Sequence, residues 1–261
     1  MHFSIIINTH NQYETFERCL KSCLKQTFKK NYEIIIIDTS DKKKNYSSKL
    51  FKSNKIKYLY LNKFSKYPEV NQIKKVFKGI QLAKGKWCCL LDGDDFFKKN
   101  KLKYIYNNYD LNKKIIIQNN CINYDEKKRI NFYTKKKFYK NNFFFIRLIN
   151  FWPIIYGTSC LSGNKKIFKS IFKKISLTKW NFLAIDALLI LYLFKNNLLK
   201  SCNKILTIKS LGDNNLNLNY KFFTKLYWIR RNQQIDFWEN LSKEKIYNFD
   251  KFFCRLMKLI N

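Results

Sequence analysis

The sequence is poor in glycine, proline and acidic residues. Its 261 residues include six glycines, two prolines and 18 acids, against 52 lysines and arginines, which gives a formal net charge of +34. Scarce glycine and proline exclude collagen-like and Pro/Gly-rich disordered classes. A hydrophobic content of 46% is ample for a core. We therefore expect a folded globular protein with one large or two small domains.

The chain also lacks paired cysteine motifs and long apolar runs. Its eight cysteines include no C-x-x-C pair, which fits reduced thiols in the cytoplasm best. The apolar residues 4–7 are followed at once by polar ones, so no secretory leader is expected. The later apolar segments 143–161 and 183–194 are interrupted by Arg147 and Asp186. We therefore expect no membrane-spanning helix.

The excess of basic residues has two interpretations. It would suit a nucleic acid or an anionic membrane surface as the partner. However, the lysines are spread along the chain, and Lys, Asn, Ile, Phe and Tyr are all abundant, as a general compositional bias would produce. We favour a solvated basic surface and expect no specific nucleic-acid partner. Peripheral contact with the inner face of a membrane stays open.

An apolar run that ends in three acids is the most informative stretch. Residues 87–91 are too few for a helix and predict a buried strand, which is followed by Asp92, Asp94 and Asp95. Crowded carboxylates repel unless they are exposed, protonated or bound to a cation. Oxygen ligands alone favour Mg²⁺ or Mn²⁺, and Gly93 would let a ligand approach the backbone closely. A solvated Asp-Gly turn is the alternative.

Strands and helices alternate in the first 110 residues. Because parallel strands end at one edge of a sheet, the acids that follow two of them, Asp38 and Asp92, should face one crevice. The pattern predicts an α/β fold. The predicted strands are 3–7, 32–38, 56–61 and 87–91, and the predicted helices are 15–28 and 70–83.

The remaining residues predict further strands, several helices and a helical tail. Asp186 lies in a very apolar helix, where a buried acid needs a polar cavity or the backbone N–H groups of a helix N-terminus. Two tryptophans and two arginines of the tail either form an interfacial face or, as we favour, pack against the domain. The predicted strands are 115–118, 130–133 and 204–208; the predicted helices are 142–150, 165–172, the segment around Asp186 and parts of 220–261; the tail residues are Trp228, Arg230, Arg231 and Trp238.

Several of these segments resemble the family 2 glycosyltransferases of the GT-A fold, in the family's order and spacing over roughly residues 1–105. The matching segments are Ser4-Ile5-Ile6-Ile7 with Thr9 and Asn11, Ser22–Phe28, Glu33–Asp38, Lys78–Gly85, Leu91-Asp92-Gly93-Asp94-Asp95 and Lys101-Leu102. The resemblance implies an α/β fold of GT-A type, a Rossmann-like mixed sheet flanked by helices. It also implies a nucleotide-sugar-binding half at 1–110 and an acceptor-binding half at 111–215, with a helical C-terminal extension at 216–261.

The resemblance further implies roles for individual residues. Those implied in nucleotide-sugar binding are Thr9, His10, Asn11, Asp38, Asp92 and Gly93. Asp94 would hold Mn²⁺ or Mg²⁺ on the diphosphate, and Asp186 would be the catalytic base. Thr39 and Ile185 stand where the family often has acids. The loss of the acid at Thr39 leaves the identity of the nucleotide base open. The segment 157–166 resembles one bordering the acceptor pocket, although a plain loop explains it nearly as well, and 212–215 resembles a loop that folds over the nucleotide.

Together these features predict an inverting, metal-assisted glycosyltransferase. It would move a sugar from a nucleotide-diphospho-sugar to a hydroxyl of a glycan or lipid-linked saccharide. One alternative is a non-catalytic basic protein that binds anionic glycolipid or nucleic acid. The other is a nucleotidyltransferase, which would need a glycine-rich basic loop where this chain has residues 8–11.

Overall fold

A computed structural model describes residues 1–43, 51–125, 130–132, 153–175, 179–212, 220–221 and 224–260. Within these residues, nine strands form one mixed sheet in the order β3-β2-β1-β4-β8-β6-β9-β5, with β7 paired to β6. The strands are β1 Phe3–Thr9, β2 Tyr32–Asp38, β3 Ile56–Tyr60, β4 Trp87–Asp92, β5 Phe96–Phe97, β6 Ile116–Asp125, β7 Ile130–Phe132, β8 Leu161–Asn164 and β9 Leu199–Leu211.

Helices cover both faces of this sheet. The helices are α1 Phe16–Leu24, α2 Pro68–Leu82, α3 Lys101–Asn108, α4 Lys165–Lys174, α5 Ile185–Lys195, α6 Lys225–Ser242 and α7 Phe249–Ile260, with a 3₁₀ turn at Thr158–Cys160. The α/β class, the mixed sheet flanked by helices and the helical tail are thereby confirmed.

The first strands are apolar throughout because alternate side chains enter two different cores. Ile6 and Leu90 pack on one face with helices α2, α4 and α5. Ile5 and Leu91 pack on the other face with α1 and α3. Successive side chains of a strand point to opposite faces, so a sheet covered on both sides needs continuous apolar runs.

The parallel strands bring the predicted acids to one edge of the sheet. β1 pairs in parallel with β2 and with β4, and its last residues align with theirs: Thr9 with Asp38, and Asn8 with Asp92. This alignment is the one expected from the order of strands and helices. The carboxyl ends of β1, β2 and β4 therefore lie side by side.

The segment 157–166 is not the plain loop that was the alternative interpretation. Its residues Leu161–Asn164 form β8, inserted antiparallel between β4 and β6. Trp228 and Trp238 of the tail are 7% and 2% exposed. Packing, and not an interfacial face, is thus their confirmed role.

Other predictions fall partly or wholly beyond the described ranges. The predicted helix 142–150 and most of the loop 212–215 lie outside the described residues.

All eight cysteines are buried thiols. Among the described helices, none has both the length and the apolar character needed to cross a membrane.

Candidate active site

A cavity of about 320 Å³ opens at the edge where β1 and β4 end. It collects acids from three places in the sequence and cations from α2 and the loop before it, from β9 and from α6. The charged residues lining it include Glu69, Asp92, Asp94, Asp95 and Asp186, with Lys63, Lys66, Lys75, Lys209 and Arg230. Carboxylates and cations that converge in one concave site are the usual signature of a ligand-binding or catalytic centre.

Asp92 is fixed at the end of β4 by three neighbours. Its Oδ1 accepts hydrogen bonds from Asn8 Nδ2 at 2.7 Å and from Gln72 Nε2 at 2.9 Å. Its backbone N–H donates to Ser159 Oγ at 2.9 Å. Burial raises the pKa of the Asp92 carboxyl, although the bonds from Asn8 and Gln72 partly oppose this, and nearby Asp186 adds to the rise. The second oxygen of Asp92 is left for a ligand or a cation.

Asp94 and Asp95 follow in a tight turn anchored to β9. Ser210 donates its Oγ–H to the Asp94 carbonyl at 2.7 Å and its N–H to Asp95 Oδ1 at 2.8 Å. Burial raises the pKa of Asp94 well above its usual value, and the charges of Asp95 and Asp92 raise it further. Burial likewise raises the pKa of Asp95, to about 6. The cluster is therefore short of positive charge.

Lys209 of β9 is a half-buried cation within this acidic cluster. Burial alone would lower its pKa, but Asp95 and Asp186 raise it above the usual value, so the ammonium stays protonated. The backbone of Gly157, at φ 108°, makes room for it: a Cβ there would lie 2.7 Å from Lys209 Nζ. Lys209 by itself cannot neutralise Asp92, Asp94 and Asp95.

The donor set suits a hard divalent cation. The side-chain ligands that Asp92, Asp94 and Asp95 provide are carboxylate oxygens, which suit Mg²⁺ or Mn²⁺. Within the described ranges, no group of three or more His, Cys, Asp or Glu side chains is arranged to hold a metal ion. One or two carboxylates plus substrate phosphates is nevertheless the common way in which proteins hold Mg²⁺. The residues present fit a metal shared with a diphosphate.

The loop after β1 contributes His10 to the cavity wall. His10 Nδ1 lies 2.7 Å from the carbonyl oxygen of Thr39. Since a carbonyl only accepts, Nδ1 carries the proton, which leaves Nε2 as an acceptor. Burial lowers the pKa of His10, so its ring is neutral at pH 7. A neutral ring is suited to stacking or accepting a hydrogen bond, and not to pairing with phosphate.

Asp38 and Asn11 shape this loop from behind, and neither lines the cavity. Asp38 Oδ1 accepts from the N–H and Oγ–H of Ser40 at 2.8 and 2.6 Å, and Oδ2 accepts from Tyr58 Oη at 2.8 Å. Asn11, at φ 57°, donates its N–H to Ser40 Oγ at 2.8 Å. Asn11 Nδ2 donates to Asp41 Oδ2 at 2.7 Å, so both predicted donor-binding side chains are engaged by the protein's own groups.

Thr9 and Gly93 explain why the turn after β4 needs a glycine. A Cβ on Gly93 would lie 2.7 Å from Thr9 Oγ1 and 2.5 Å from Gln12 Oε1. The chain itself fills the space that we expected a ligand to use. Thr9 Oγ1 and Gln12 Oε1 are buried, and neither has a hydrogen-bond partner among the described residues. Because buried polar atoms are normally paired, and Gln12 lines the cavity, a polar ligand would satisfy Gln12.

Asp186 also lines the cavity and lies in the first turn of α5. Its Oδ1 accepts the N–H of Ala187 at 2.8 Å. Both environments considered for this acid therefore apply at once: it caps the helix N-terminus and it faces a polar cavity. One carboxylate oxygen is engaged by the helix, and the side chain lines the cavity.

The C-terminal extension also reaches the cavity. Arg230 of α6 donates to Glu69 Oε1 at 2.5 Å and to the Phe182 carbonyl at 3.1 Å. Tyr220 Oη donates to the same Glu69 oxygen at 2.5 Å. Glu69 is 2% exposed, and its Oε2 has no hydrogen-bond partner among the described residues. The extension therefore completes one wall of the cavity.

Four of the predicted acids, Asp92, Asp94, Asp95 and Asp186, line one cavity, but the sequence indicated few of the residues that contact them. Asn8 could have been found, because it lies at the end of a predicted strand beside Thr9. Lys209 and Arg230 could not, since they are two among 52 basic residues with no distinguishing pattern around them. Ser159 was singled out only as part of a segment able to bind sugars, whereas it fixes the backbone of Asp92.

Comparison with known proteins adds the family. The sequence model described as "Glycosyl transferase family 2" matches residues 4–172. The chain belongs to glycosyl transferase family 2. The matched residues include the whole β1–β4 edge and Asp92, Asp94 and Asp95, while Asp186, Lys209 and Arg230 lie beyond them.

Two curated relatives carry related names. Glycosyltransferase GlyG of Streptococcus pneumoniae is 26% identical over 126 residues, which is 47% of this chain and 40% of that protein. Amylovoran biosynthesis glycosyltransferase AmsB of Erwinia amylovora is 30% identical over 101 residues, 39% of this chain and 33% of that protein. Each match spans less than half of the relative's length.

Solved structures confirm that the fold is of GT-A type. S. aureus TarS 1-349 in complex with UDP superposes with a TM-score of 0.59 at 13% identity, covering 98% of this chain and 69% of that one. The same protein in complex with UDP-GlcNAc gives a TM-score of 0.64 at 15% identity, with coverages of 98% and 70%. At such identities the likeness extends to the fold alone.

Proposed function

We propose that this family 2 protein is an inverting, metal-assisted glycosyltransferase. It moves a sugar from a nucleotide-diphospho-sugar to a hydroxyl of a glycan or lipid-linked saccharide. The observation that carries the proposal is that Asp92 and Asp94, after β4, and Asp186 of α5 line the same cavity. TarS was solved in complex with UDP and with UDP-GlcNAc, so uridine nucleotides are the first donors to test.

Asp186 is proposed to act as the general base. Its cavity-facing oxygen would take the proton of the acceptor hydroxyl as that oxygen attacks the anomeric carbon. The bond from that carbon to the diphosphate breaks, and the nucleoside diphosphate leaves from the opposite face. A single displacement of this kind inverts the anomeric centre. A positioned base typically contributes about 10² to 10⁴ in rate.

The acids after β4 are proposed to serve the leaving group. Asp94, with Asp92 or Asp95 beside it, would hold the divalent cation, which supplies positive charge against the departing diphosphate when it is bound. Lys209 adds a fixed positive charge to the same wall. Lys75 stabilises the end of β1, because its Nζ donates a hydrogen bond to the Thr9 carbonyl at 2.9 Å.

The alternative function, a basic binding protein without catalytic activity, is supported by no specific contact among the described residues. A groove for nucleic acid needs converging cations to meet the phosphates. The described cavity is instead lined by five carboxylate side chains together with its cations. Those carboxylates would repel a polyanion.

Metal-linked donor binding tests the proposal. Titrating uridine diphosphate into the purified protein should show weak binding in EDTA and tighter binding with Mn²⁺, because carboxylates and diphosphate repel each other without a cation. Asp94→Asn should remove most of the gain given by Mn²⁺. The measurement is isothermal titration calorimetry, accompanied by sugar transfer from a panel of nucleotide-sugars.

The matched control is Asp110→Asn, an exposed acid outside the cavity. It should leave both affinities unchanged. Equal affinity with and without Mn²⁺ in the wild type, or an equal gain in Asp94→Asn, would contradict the metal assignment. Absence of transfer and of diphosphate binding across all nucleotides would contradict the enzymatic proposal itself.

A further inference from the structure

The last helix exposes a continuous apolar stripe. Tyr247, Phe249, Phe252 and Leu256 have 68%, 68%, 61% and 37% of their surface exposed. Positions 249, 252 and 256 are three and four residues apart, which places them on one side of α7. Scattered exposed apolar residues are ordinary, but aromatic residues contiguous on one face indicate an interaction surface.

The side of α7 next to the stripe is fixed to the body of the protein. Arg231 of α6 pairs with Asp250, the Trp228 and Phe253 rings stack at 5.9 Å, and Cys254 Sγ–H donates to the Trp228 carbonyl at 3.8 Å. α7 therefore cannot turn its apolar stripe inward without breaking these contacts. The stripe is presented outward by a helix that is already docked.

Basic residues flank the stripe. Lys243 and Lys245, in the segment before α7, and Arg255, three residues after Phe252, are exposed, and Lys245 Nζ lies 4.0 Å from Glu239. The whole chain carries a formal charge of +34. Aromatic and leucine side chains on one helical face, bordered by lysine and arginine, are the composition of helices that lie in the interface of anionic membranes.

We propose that the stripe on α7 docks the protein onto an anionic phospholipid bilayer. A second copy of the chain is the less suitable occupant, because it would bring two strongly positive surfaces together. An anionic bilayer instead supplies the opposite charge and an apolar layer for the four side chains. This inference does not rest on the proposed function, since it involves neither the cavity nor a nucleotide-sugar.

Vesicle binding by the full chain tests the proposal. The wild type should co-sediment with vesicles of phosphatidylcholine and phosphatidylglycerol, but bind vesicles of phosphatidylcholine alone much more weakly. The double variant Phe249→Ser/Phe252→Ser should lose about tenfold or more in affinity for the anionic vesicles, because each phenylalanine inserts a large apolar surface. Leu211→Ser is the matched control: Leu211 is 41% exposed on β9, outside the stripe, and the change should have no effect.

A site-specific probe gives direct evidence of insertion. The native thiols are all buried, so a polarity-sensitive dye should label Phe252→Cys selectively. Its emission should shift to the blue when anionic vesicles are added, and the same dye on Leu211→Cys should not respond. Raising the salt from about 0.1 M to about 1 M shortens the Debye length from about 10 Å to about 3 Å and should weaken binding.

Two results would overturn the proposal. One is equal vesicle binding by the wild type and the folded double variant, with unchanged melting temperature. The other is a wild-type dimer in analytical ultracentrifugation that becomes monomeric in the double variant, without any vesicle-dependent signal. That second outcome would assign the stripe to a second copy of the chain.

Discussion

Replacing Asp186 by asparagine separates the chemistry of the site from its architecture. The carboxylate makes one described hydrogen bond, accepted by Oδ1 from the N–H of Ala187 at 2.8 Å. An asparagine side chain keeps that acceptor oxygen and the same shape. Only the negative charge and the ability to take a proton are lost.

The structure gives different magnitudes for stability and for rate. Because the helix-capping bond survives and the site is open to the cavity, Asp186→Asn should change the free energy of unfolding by under about 1 kcal/mol. Asp186 also contributes to the raised pKa of Asp92, so its neutralisation should favour ionised Asp92 and should not weaken donor binding. Loss of a general base should lower transfer by about 10² to 10⁴, or about 3 to 5 kcal/mol of barrier.

The assay follows single-turnover sugar transfer alongside diphosphate affinity and melting temperature. Asp236→Asn supplies the control, since Asp236 is an exposed helical acid of α6 that hydrogen-bonds Asn232 away from the cavity. Near-normal transfer by a folded Asp186→Asn protein would refute the assignment of the base. A loss of diphosphate binding equal to the loss of transfer would instead place Asp186 on the donor side.

Two further predictions concern buried charges. Glu69→Gln should lower the free energy of unfolding by about 1.5 to 3 kcal/mol, because it removes the buried charged partner of Arg230. The control Glu17→Gln, in an exposed pair with Lys21, should lower it by under about 1 kcal/mol. Equal effects of the two substitutions in urea unfolding would contradict the buried-pair interpretation. Lys101 is buried with a pKa lowered to about 8, so between pH 8 and its usual value near 10.5 the unfolded chain binds more protons than the folded one. Wild-type stability should therefore gain, relative to Lys101→Met, up to about 1.4 kcal/mol per pH unit in that window, and a difference independent of pH would refute this.

The β-α-β half was predictable because its strands are buried on both faces. Continuous apolar runs ending in Asp38 and Asp92 leave few other interpretations. The position of these acids at one edge follows from parallel pairing, which is observed. What each acid does there was not predictable: Asp38 is engaged by Ser40 and Tyr58, and this depends on side-chain geometry in the folded state.

The second half was less predictable because tertiary contacts impose its structure. β8 has the sequence Leu-Ser-Gly-Asn, which carries little strand propensity, and becomes a strand by inserting between β4 and β6. Arg230 meets Glu69 across 161 residues of sequence. A contact of that range leaves no periodic signal in one sequence. The tail's residues predicted helices and tryptophans packed against the domain, but not that α7 exposes Phe249 and Phe252.

The insertion of β8 has a consequence for synthesis on the ribosome. Strands β1 to β4 can pair as soon as the first hundred or so residues have emerged, but the far edge of β4 stays open until residues 161–164 are made. At about 5 to 20 residues per second, that edge waits for several seconds with its N–H and C=O groups unpaired. It is flanked by the apolar side chains of Trp87 to Leu91. An open apolar edge of this kind pairs readily with another chain, so the nascent protein is most prone to aggregation in this interval, before its active site exists.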